Sequence, residues 1–452
     1  LDVMMIGIDS ISRFNHIVKM PKTRDFLLTN LSAIELEGYN KVADNTVVNL
    51  TPMFTGNFLS EEHQRLNISD RKSSFVDDFN FILKNYSKMG YALLFAEDHP
   101  LISIYNYKAH GFKNPPTDYY FRPFTLSLDD DSSVWNNGFC ILNRPETNIV
   151  LDYSSDFMNY VKDVPKFSFT FNTRLTHDSI EILTTADLYY YEFLVRTFQS
   201  GVLNNTILMF FGDHGYRFGK IMKTDYGRIQ SRLPMMYIVF PTWFSNRYPD
   251  IYKNVVTNSK RLTTPFDIHE FLKDILDFTG VPRKTCSVGQ RGISLFDCIP
   301  EFRRCEDAQI PLHYCTCKYK DVEGFSIGDE IVQRASQYLV DLINKNISPF
   351  RQCSQLKLAS IISARVSVTN YNLNITYQDI LQKLDTKWRE KDCLMFGIVI
   401  KTTPGDGMFD ATVMYKLKLK KFFTSLESID RINRYDSDGD CVTPNMRSFC
   451  YC

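Results

Sequence analysis

Short, almost unbroken apolar runs recur along the first part of the chain, and several of them end in polar residues. The run at 206–211 is followed at once by Gly212, Asp213, His214 and Gly215. Such runs are typical of strands that are buried on both faces of a parallel sheet. Similar runs lie at 3–8, 91–96, 167–171 and 235–240. Apolar positions at helical spacing in 187–200 predict a helix between two of these strands.

The pattern changes after Cys286, where cysteines and prolines become frequent. A helix is predicted at 328–345, and strands with alternating apolar positions are predicted at 356–371, 394–402 and 408–419. We therefore expect an α/β/α sandwich with a mostly parallel sheet, followed by a smaller disulfide-rich α+β domain. The change in composition near 317–323 places the boundary between residues 1–320 and residues 321–452.

Acidic residues follow directly on two of the predicted strands. Asp9 ends the run at 3–8, and Asp213 with His214 ends the run at 206–211. Because ligand sites in open α/β sheets form at the carboxyl ends of the strands, these side chains are candidate ligands of a metal ion. The glycines around Asp213 and His214 permit a sharp turn there. Glu97 and Asp98 also follow a strand, and we interpret them as caps of the next turn.

His177 follows the strand predicted at 167–171, a few residues past its end. A histidine in this position is either a metal ligand or a hydrogen-bonded structural residue, and the sequence favours neither. His269 is predicted to be structural, because it lies inside a helix that opens near Pro265. The basic stretch from Tyr216 to Arg232 is predicted to be a solvated loop, with binding of an anionic substrate as the alternative.

Thr46 lies in a polar segment just before a predicted helix. The backbone N–H groups at a helix N-terminus bind phosphate or sulfate groups well, so Thr46 is a candidate nucleophile beside an anion site. The alternative is that Thr46 is only the N-cap of that helix.

Composition excludes some classes of protein and narrows the compartment. The formal net charge of the 452 residues is zero, which predicts no broad attraction to nucleic acid. Ten of the 11 cysteines lie from Cys286 onward, and this clustering favours disulfides and an oxidising compartment. The segment from Cys315 to Cys317 is interpreted as a site of disulfide bonding rather than half of a zinc site, with the pairing left open, and the acidic run 436–440 is interpreted as a turn. Several Asn-x-Ser/Thr sites, among them Asn67 and Asn374, agree with a secretory route.

Taken together, Asp9, Thr46, Asp213 and His214 supply two carboxylates, a hydroxyl and an imidazole. This donor set suits Zn²⁺ or Mn²⁺ better than Ca²⁺ or Mg²⁺. Such a metal would lower the pKa of the Thr46 hydroxyl and offset the charge on a transferred phosphoryl group. His177 would then bind a second metal or protonate the leaving group.

These motifs, in this order, resemble the alkaline phosphatase/sulfatase superfamily, and more narrowly the DUF229 family of animal extracellular proteins. The narrower resemblance extends over nearly the whole chain. It includes the segments 20–23, 116–120, 263–267, 292–296 and 305–317, and more weakly 450–452.

The resemblance implies an alkaline phosphatase-like fold and a covalent intermediate on Thr46. The segment from Thr46 to Asn49 is similar to the Thr-Phe-Pro-Asn motif of nucleotide pyrophosphatase/phosphodiesterases, so Asn49 is expected to hold the transferred group. The Cys/Ser-x-Pro-x-Arg motif of formylglycine sulfatases is missing, which makes an ordinary sulfatase unexpected. One firm metal site is implied, and a second depends on His177. His313 is interpreted as structural.

The first functional expectation is a metal-dependent phosphodiesterase or phosphatase outside the cell or in the secretory lumen. The second is a transferase that passes a phosphoethanolamine-type group to a glycan through the same Thr46 intermediate. The third is a catalytically silent binding ectodomain. The expected substrate is a phosphorylated small molecule, lipid or glycan, with no nucleic acid partner. The sequence does not fix the oligomeric state, and it allows a membrane anchor outside this chain.

Overall fold

The computed structural model describes residues 1–68, 74–107, 109–136, 138–281, 289–317, 320–368, 392–443 and 446–452. The chain divides into two compact units, Leu1–Tyr216 with Ile229–Ile310, and Arg217–Arg228 with Pro311–Cys452. The boundary predicted between residues 320 and 321 lies a little beyond Ile310. Nothing in the apolar pattern predicts that the segment Arg217–Arg228 belongs with the C-terminal unit.

A seven-stranded sheet forms the centre of the first unit. In spatial order its strands are β2 (Ile34–Glu35), β11 (Met236–Val239), β10 (Thr206–Gly212), β1 (Asp2–Ile8), β9 (Lys166–Asn172), β4 (Ala92–Glu97) and β5 (Tyr119–Tyr120). The pairings from β10 to β5 are all parallel, whereas β11 is antiparallel to both of its neighbours. The predicted mostly parallel sheet is therefore confirmed. Each predicted strand of the first unit is present, although the one at 235–240 runs antiparallel.

Helices cover both faces of this sheet, because the side chains of each strand alternate between two apolar layers. Val3 and Met5 face one layer, and Met4 and Ile6 face the other. The first layer is completed by α3 (Thr46–Thr55), α4 (Leu59–Arg65), α5 (Ile82–Lys88), α10 (Phe244–Arg247), α11 (Pro249–Asn258) and α12 (Pro265–Leu276). The second layer contains α7 (Glu146–Tyr160) and α8 (Leu183–Gln199). This arrangement confirms the expected α/β/α sandwich.

The remaining elements of the first unit are short. The helices are α1 (Arg13–Lys19), α2 (Pro21–Asp25) and α6 (Arg122–Asp130), together with the second half of α9 (Asp225–Arg232), whose first half belongs to the Arg217–Arg228 segment of the second unit. A parallel pair is formed by β3 (Gly38–Tyr39) and β12 (Leu262–Thr263), and a small sheet by β6 (Trp135–Asn136), β7 (Cys140–Ile141) and β8 (Arg144–Pro145). The solvated loop predicted at 216–232 is wrong in part, because α9 occupies its second half.

The second unit is an antiparallel sheet packed with one long helix. Its strands are β13 (Lys320–Asp321), β14 (Lys357–Val368), β15 (Cys393–Thr403), β16 (Met408–Lys416), β17 (Lys421–Phe423) and β18 (Ile429–Arg431). Helix α13 (Glu330–Ile347) buries Leu339, Val340 and Ile343 against this sheet. The acidic run at 436–440 is a turn, as predicted. The α+β character expected of this region is confirmed.

Disulfides brace the C-terminal region, as the cysteine distribution predicts. Cys353 is bonded to Cys450, and Cys441 to Cys452. Three further cysteines of the described residues are also disulfide-bonded, namely Cys298, Cys305 and Cys315. Cys286 and the glycosylation site predicted at Asn374 lie outside the described residues. Among the residues that the structure describes, no helix is long and apolar enough to cross a membrane.

Candidate active site

Asp9 and Asp213 lie side by side at one edge of the main sheet. Strands β1 and β10 are adjacent and parallel, and Ile8 is paired with Gly212, so the next residue of each strand is an acid. Odd-numbered positions of both strands face the layer that contains α3, which places both carboxylates on that side. Both residues are 1% exposed. The predicted pair of strand-end carboxylates is thus present and buried.

Ser10 connects these two acids. Its backbone φ of 64° lies in the left-handed region, which non-glycine residues seldom adopt. The Ser10 N–H donates to Oδ1 of Asp213 at 3.0 Å, and the Ser10 hydroxyl donates to Oδ1 of Asp9 at 2.9 Å. Strained backbone of this kind clusters at functional sites. Sequence reasoning missed Ser10, because its conformation depends on a residue remote in the chain.

The chain bends at Asp213 and His214, as the flanking glycines permit, but the bend does not depend on left-handed glycine backbone. Neither Gly212 nor Gly215 has a positive φ; both are required because other backbone lies against them. A Cβ on Gly212 would lie 2.2 Å from the carbonyl oxygen of Ile11, and one on Gly215 would lie 2.2 Å from that of Gln230. These glycines let neighbouring segments close tightly around Asp213 and His214.

His214 points one ring nitrogen towards the two carboxylates. Its Nδ1 lies 3.0 Å from the carbonyl oxygen of Gly215, and a carbonyl can only accept, so Nδ1 carries a proton. Its Nε2 lies 3.3 Å from Oδ2 of Asp213 and 3.7 Å from Oδ1 of Asp9. In a neutral ring Nε2 is therefore an acceptor that faces two carboxylates. A further proton among the three groups, or a bound cation, would offset their repulsion.

The three side chains form a compact candidate metal centre. Ligand atoms of Asp9, Asp213 and His214 all lie within 4.8 Å of one another. Burial raises the pKa of the Asp213 carboxyl above its ordinary value, the nearby His214 opposes this, and Asp9 adds to it. The hydrogen bond from His214 Nδ1 to a backbone carbonyl is the usual outer-shell support of a metal-binding histidine. The donor set therefore fits a divalent metal such as Zn²⁺ or Mn²⁺.

Thr46 is brought to this centre by helix α3. A hydrogen bond with the Thr46 side chain is among the influences that lower the pKa of Asp213, although burial outweighs it. Asn45 occupies the N-cap position, with extended backbone, and Thr46 is the first helical residue. The interpretation of Thr46 as the N-cap is therefore wrong. Its hydroxyl lies beside Asp213 instead of capping the helix.

Asn49 holds the loop that precedes Thr46. Its Oδ1 accepts from the N–H groups of Val42 and Ala43 at 2.8 and 3.1 Å. Its Nδ2 donates to the carbonyls of Ala43 and Asn45, both at 2.9 Å. The substrate contact predicted for Asn49 would require at least one of these bonds to break.

His177 lies on a turn that follows β9, outside the compact centre. Its Nδ1 is 3.1 Å from Oδ1 of Asp178, and its side chain is 26% exposed. The hydroxyl of Tyr216 donates to the carbonyl of Asp178 at 3.1 Å, which ties this turn to the segment just after His214. His99 lies close enough for the charge of His177 to influence it, although burial is the main reason that the pKa of His99 falls to about 4.

Asp98 supports the turn that carries His177, a role that sequence reasoning missed. Its two carboxylate oxygens accept from the N–H groups of Thr173 and Arg174 at 2.8 and 3.1 Å. Burial raises the pKa of Asp98 to about 6, and the charge of Asp9 contributes to the increase. Asp98 thus caps the turn after β9, not the turn after its own strand β4. The neighbouring Glu97 does hold the segment that follows β4, because it accepts a hydrogen bond from the N–H of Ile104 at 2.7 Å. The only sign of this role in the sequence is that Asp98 follows a predicted strand, as Asp9 and Asp213 do.

An arginine network fixes the same turn from the other side. Nε of Arg174 lies 2.6 Å from Oε2 of Glu146, and Nη2 lies 2.8 Å from Oδ1 of Asp129. The guanidinium also lies over the ring of Trp135, at 4.4 Å from its centroid. His177 is therefore carried by a turn that both carboxylates and an aromatic ring hold in place.

The other histidines considered from the sequence are structural. His269 lies within α12, 9% exposed, with Nδ1 3.3 Å from the carbonyl of Met53. In the second unit, His313 is 0% exposed, with Nε2 3.1 Å from Oδ2 of Asp430 and Nδ1 3.0 Å from Oγ1 of Thr412. Both structural predictions are confirmed.

Fold and site together define a three-layer α/β protein with a buried carboxylate–imidazole centre beside a threonine at a helix N-terminus. The chain belongs to the family described as "Protein of unknown function (DUF229)", whose match covers residues 1–362. The family match thus ends within β14, short of the closing cysteines 450–452. No curated protein matches the chain in sequence.

Several solved structures are similar to this one at low sequence identity. A protein of the alkaline phosphatase superfamily from Vibrio parahaemolyticus is 10% identical, with a TM-score of 0.45 over 99% of this chain and 85% of that one. The C-terminal periplasmic domain of EptC from Escherichia coli, in complex with zinc, is 11% identical, with a TM-score of 0.44 over 67% and 87%. The soluble domain of lipooligosaccharide phosphoethanolamine transferase A from Neisseria meningitidis is 11% identical, with a TM-score of 0.42 over 62% and 89%.

Proposed function

We propose that this protein is a metal-dependent phosphoester hydrolase, either a phosphodiesterase or a phosphatase, with Thr46 as its nucleophile. The observation that carries the proposal is the convergence of four groups. Ligand atoms of Asp9, Asp213 and His214 lie within 4.8 Å of one another, and the Thr46 side chain reaches Asp213. If Asp9, Asp213 and His214 had only a structural role, a hydroxyl beside them at the start of a helix would not be needed. Phosphoryl transfer through a covalent intermediate, in contrast, requires a nucleophile such as this hydroxyl.

Asp9, Asp213, His214 and the Thr46 hydroxyl would hold the metal, for which Zn²⁺ or Mn²⁺ is the best match to the donors. When bound, the metal would acidify the Thr46 hydroxyl and offset negative charge on the transferred group. A second metal would depend on His177, which lies outside the compact group among the described residues. One firm site and one optional site therefore remain our proposal.

The residues of the chain supply the rest of the reaction. Oγ1 of Thr46 attacks phosphorus after it has lost its proton to solvent, a loss that a bound metal would favour by lowering the pKa of the hydroxyl. The bond from phosphorus to the leaving oxygen breaks, and His177 gives that oxygen a proton. N–H groups at the start of α3 hold the anionic group. Water then attacks the phospho-threonine and gives a proton to His177, the bond from phosphorus to Oγ1 breaks, and the Thr46 oxygen takes a proton from solvent to become a hydroxyl again.

A second candidate is a transferase that uses the same phospho-threonine chemistry. A glycan hydroxyl would replace water in the second step, so that a phosphoethanolamine-type group reaches the glycan. The partly exposed His177, on the turn outside the buried centre, leaves room for a bulky acceptor. A catalytically silent binding ectodomain is the third candidate, and it is disfavoured because all four site groups are present.

The proposed substrate is a phosphorylated small molecule, lipid or glycan. We place the reaction outside the cell or in the secretory lumen, because the disulfides of the C-terminal region form and persist in oxidising compartments. A membrane anchor outside this chain is compatible with the proposal and would favour a lipid donor.

The experiment is metal analysis of the purified protein, run beside turnover of a nitrophenyl phosphodiester. We expect about one or two equivalents of zinc or manganese, and turnover that Thr46→Ala abolishes while the fold and metal stay largely intact, because Asp9, Asp213 and His214 are still present. Thr51→Ser is the matched control, because the Thr51 hydroxyl donates to the Val47 carbonyl within the helix at 2.7 Å. Metal without turnover favours the transferase. Protein that binds no metal after reconstitution favours the silent ectodomain.

A further inference from the structure

Two disulfides of the second unit lie in contact with each other. Cys353 is bonded to Cys450, and Cys441 is bonded to Cys452. Sγ of Cys441 lies only 3.7 Å from Sγ of Cys450, although these two cysteines are not bonded to each other. The sulfur atoms of Cys353, Cys441 and Cys450 all lie within 4.8 Å of one another. The four cysteines therefore form one sulfur cluster, in which Cys450 has a second cysteine beside it.

The two disulfides differ in their access to solvent. Cys452 is exposed, whereas Cys450 is 0% exposed. A small thiol from solvent therefore meets the Cys441–Cys452 bond first, and access of this kind is one of the conditions for thiol–disulfide exchange. The N–H of Cys441 also donates to Sγ of Cys452 at 3.2 Å, and such a bond favours the thiolate when the disulfide is cleaved.

The two possible partners of Cys450 lie in different parts of the second unit. Cys353 lies in the turn after α13, 97 positions before Cys450. Beside this disulfide, the N–H of Ser354 donates to the carbonyl of Tyr451 at 2.8 Å. Cys441 precedes Cys450 by only 9 positions. A change of partner would therefore release the turn after α13 from its covalent bond to the C-terminal segment.

We propose that these four cysteines form a thiol–disulfide exchange site, at which a small thiol such as glutathione makes Cys450 change its partner from Cys353 to Cys441. Two thiol molecules first reduce Cys441–Cys452, which gives two cysteine thiols and one small disulfide. Cys441 loses its proton to solvent, and its thiolate attacks Sγ of Cys450. The bond between Cys450 and Cys353 breaks, and Cys353 takes a proton from solvent. The inference is independent of the reaction proposed at Thr46.

The position of Cys441 explains why the first reduction is needed. An attacking sulfur must approach along the axis of the bond that it breaks. Because Sγ of Cys441 lies within 4.8 Å of both sulfurs of the Cys353–Cys450 disulfide, it is beside this bond and not in line with it. Cleavage of Cys441–Cys452 frees the Cys441 side chain to rotate about its Cα–Cβ bond. Reduction of the exposed disulfide therefore permits the second exchange.

The test compares two variants of the full chain, each with one cysteine removed. Cys452→Ser leaves a Cys441 thiol beside the Cys353–Cys450 disulfide, so the exchange needs no reductant. Cys441→Ser is the matched control, because it removes the same disulfide but leaves the thiol at Cys452. Both proteins are labelled with excess N-ethylmaleimide in denaturant at weakly acidic pH, where few thiols are ionised and exchange is slow. Peptide mass spectrometry then locates the label.

In the Cys452→Ser protein we expect label at both Cys353 and Cys441. Each of the two pairings holds one disulfide and one thiol, so the number of bonds favours neither. In the Cys441→Ser protein, label at Cys353 should be at least about tenfold lower. Label at Cys441 without label at Cys353 in the Cys452→Ser protein would overturn the proposal.

Wild type provides a second measurement that does not depend on the folding of either variant. Limited reduction with glutathione should free Cys353 and Cys452, while Cys441 becomes bonded to Cys450. If limited reduction instead frees Cys441 and Cys452, with Cys353 still bonded to Cys450, the partner of Cys450 does not change and the proposal is wrong.

Discussion

The backbone N–H of Ser10 donates a hydrogen bond of 3.0 Å to the carboxylate of Asp213, although the two residues are 203 positions apart in the chain. The left-handed conformation of Ser10, with a φ of 64°, accompanies this contact. One strained residue thereby sets the position of a candidate ligand on the neighbouring strand.

This strain predicts an unusual order of stability at position 10. Ser10→Ala and Ser10→Gly both remove the hydroxyl that contacts Asp9, but only glycine adopts the left-handed region without cost. We expect the glycine variant to be more stable than the alanine variant by about 1–2 kcal/mol. Urea unfolding of the two proteins measures the difference. If the Ser10→Ala protein is the more stable of the two, residue 10 does not need a positive φ in the folded protein.

Asp213→Asn should change stability in opposite directions with and without metal. Without metal, the change removes a buried charge that lies near Asp9, so the variant should unfold at the same or a higher temperature than wild type. With excess Zn²⁺, wild type should gain more stability than the variant, because a ligand has been lost. Thermal unfolding with a chelator and with Zn²⁺ tests both halves.

The exposed Asp156 on α7 provides a charge-matched control, and Asp156→Asn should behave like wild type in both conditions. A variant at position 213 that gains as much from Zn²⁺ as wild type does would locate the metal elsewhere.

Asn49→Asp tests whether Asn49 positions the loop or contacts substrate. The change replaces a donor that serves two carbonyls with an oxygen that repels them. We expect a loss of at least about 1–3 kcal/mol in the free energy of unfolding, measured in urea without any ligand. Wild-type stability combined with a raised KM would instead support the substrate contact predicted from the sequence.

Glu97 should make stability depend on pH. Burial raises the pKa of Glu97 from 4.5 to about 8, so the folded protein holds this proton more tightly than the unfolded chain. Its contribution to stability is therefore complete below about pH 4.5 and is lost as the pH rises to about 8. Glu97→Gln should remove this dependence and stabilise the protein relative to wild type at pH 8, by up to a few kcal/mol. If the difference in stability between wild type and Glu97→Gln stays constant from pH 5 to pH 8, the pKa of Glu97 is not raised in the folded protein.

Reduction of the disulfides should affect the second unit most. Cys353–Cys450 closes a long loop around β14, β15 and β16, so its loss raises the entropy of the unfolded C-terminal region. Hydrogen exchange with and without reductant should show faster exchange in β15 and β16, and little change in β1 and β10. An equal increase in the exchange rate in both units would show that the disulfides do not stabilise the second unit selectively.

The main sheet and the centre of the candidate site could be predicted because both depend on local patterns. Buried parallel strands are nearly continuous apolar runs, and their carboxyl ends meet at one edge. Asp9, Asp213 and His214 follow such runs directly, so their meeting required no knowledge of distant contacts.

What could not be predicted depends on hydrogen bonds between remote segments. Nothing near Ser10 in the sequence indicates its left-handed backbone, because the acceptor belongs to another strand. Asp98 lies at a strand end like Asp9, yet its oxygens serve the turn after β9. Asn49 matches a substrate-binding pattern by spacing, but its amide holds the preceding loop.

The segment Arg217–Arg228 leaves the first unit shortly after His214 and belongs to the second. Within the second unit, Met222 is buried with Val399 and Ile432. A gene fragment that ended at Ile310 would encode this segment without the residues that bury Met222. A single crossover at Ile310 would therefore join this segment from one gene to the C-terminal residues of another, so an engineered exchange of the C-terminal unit should carry the segment Arg217–Arg228 with it.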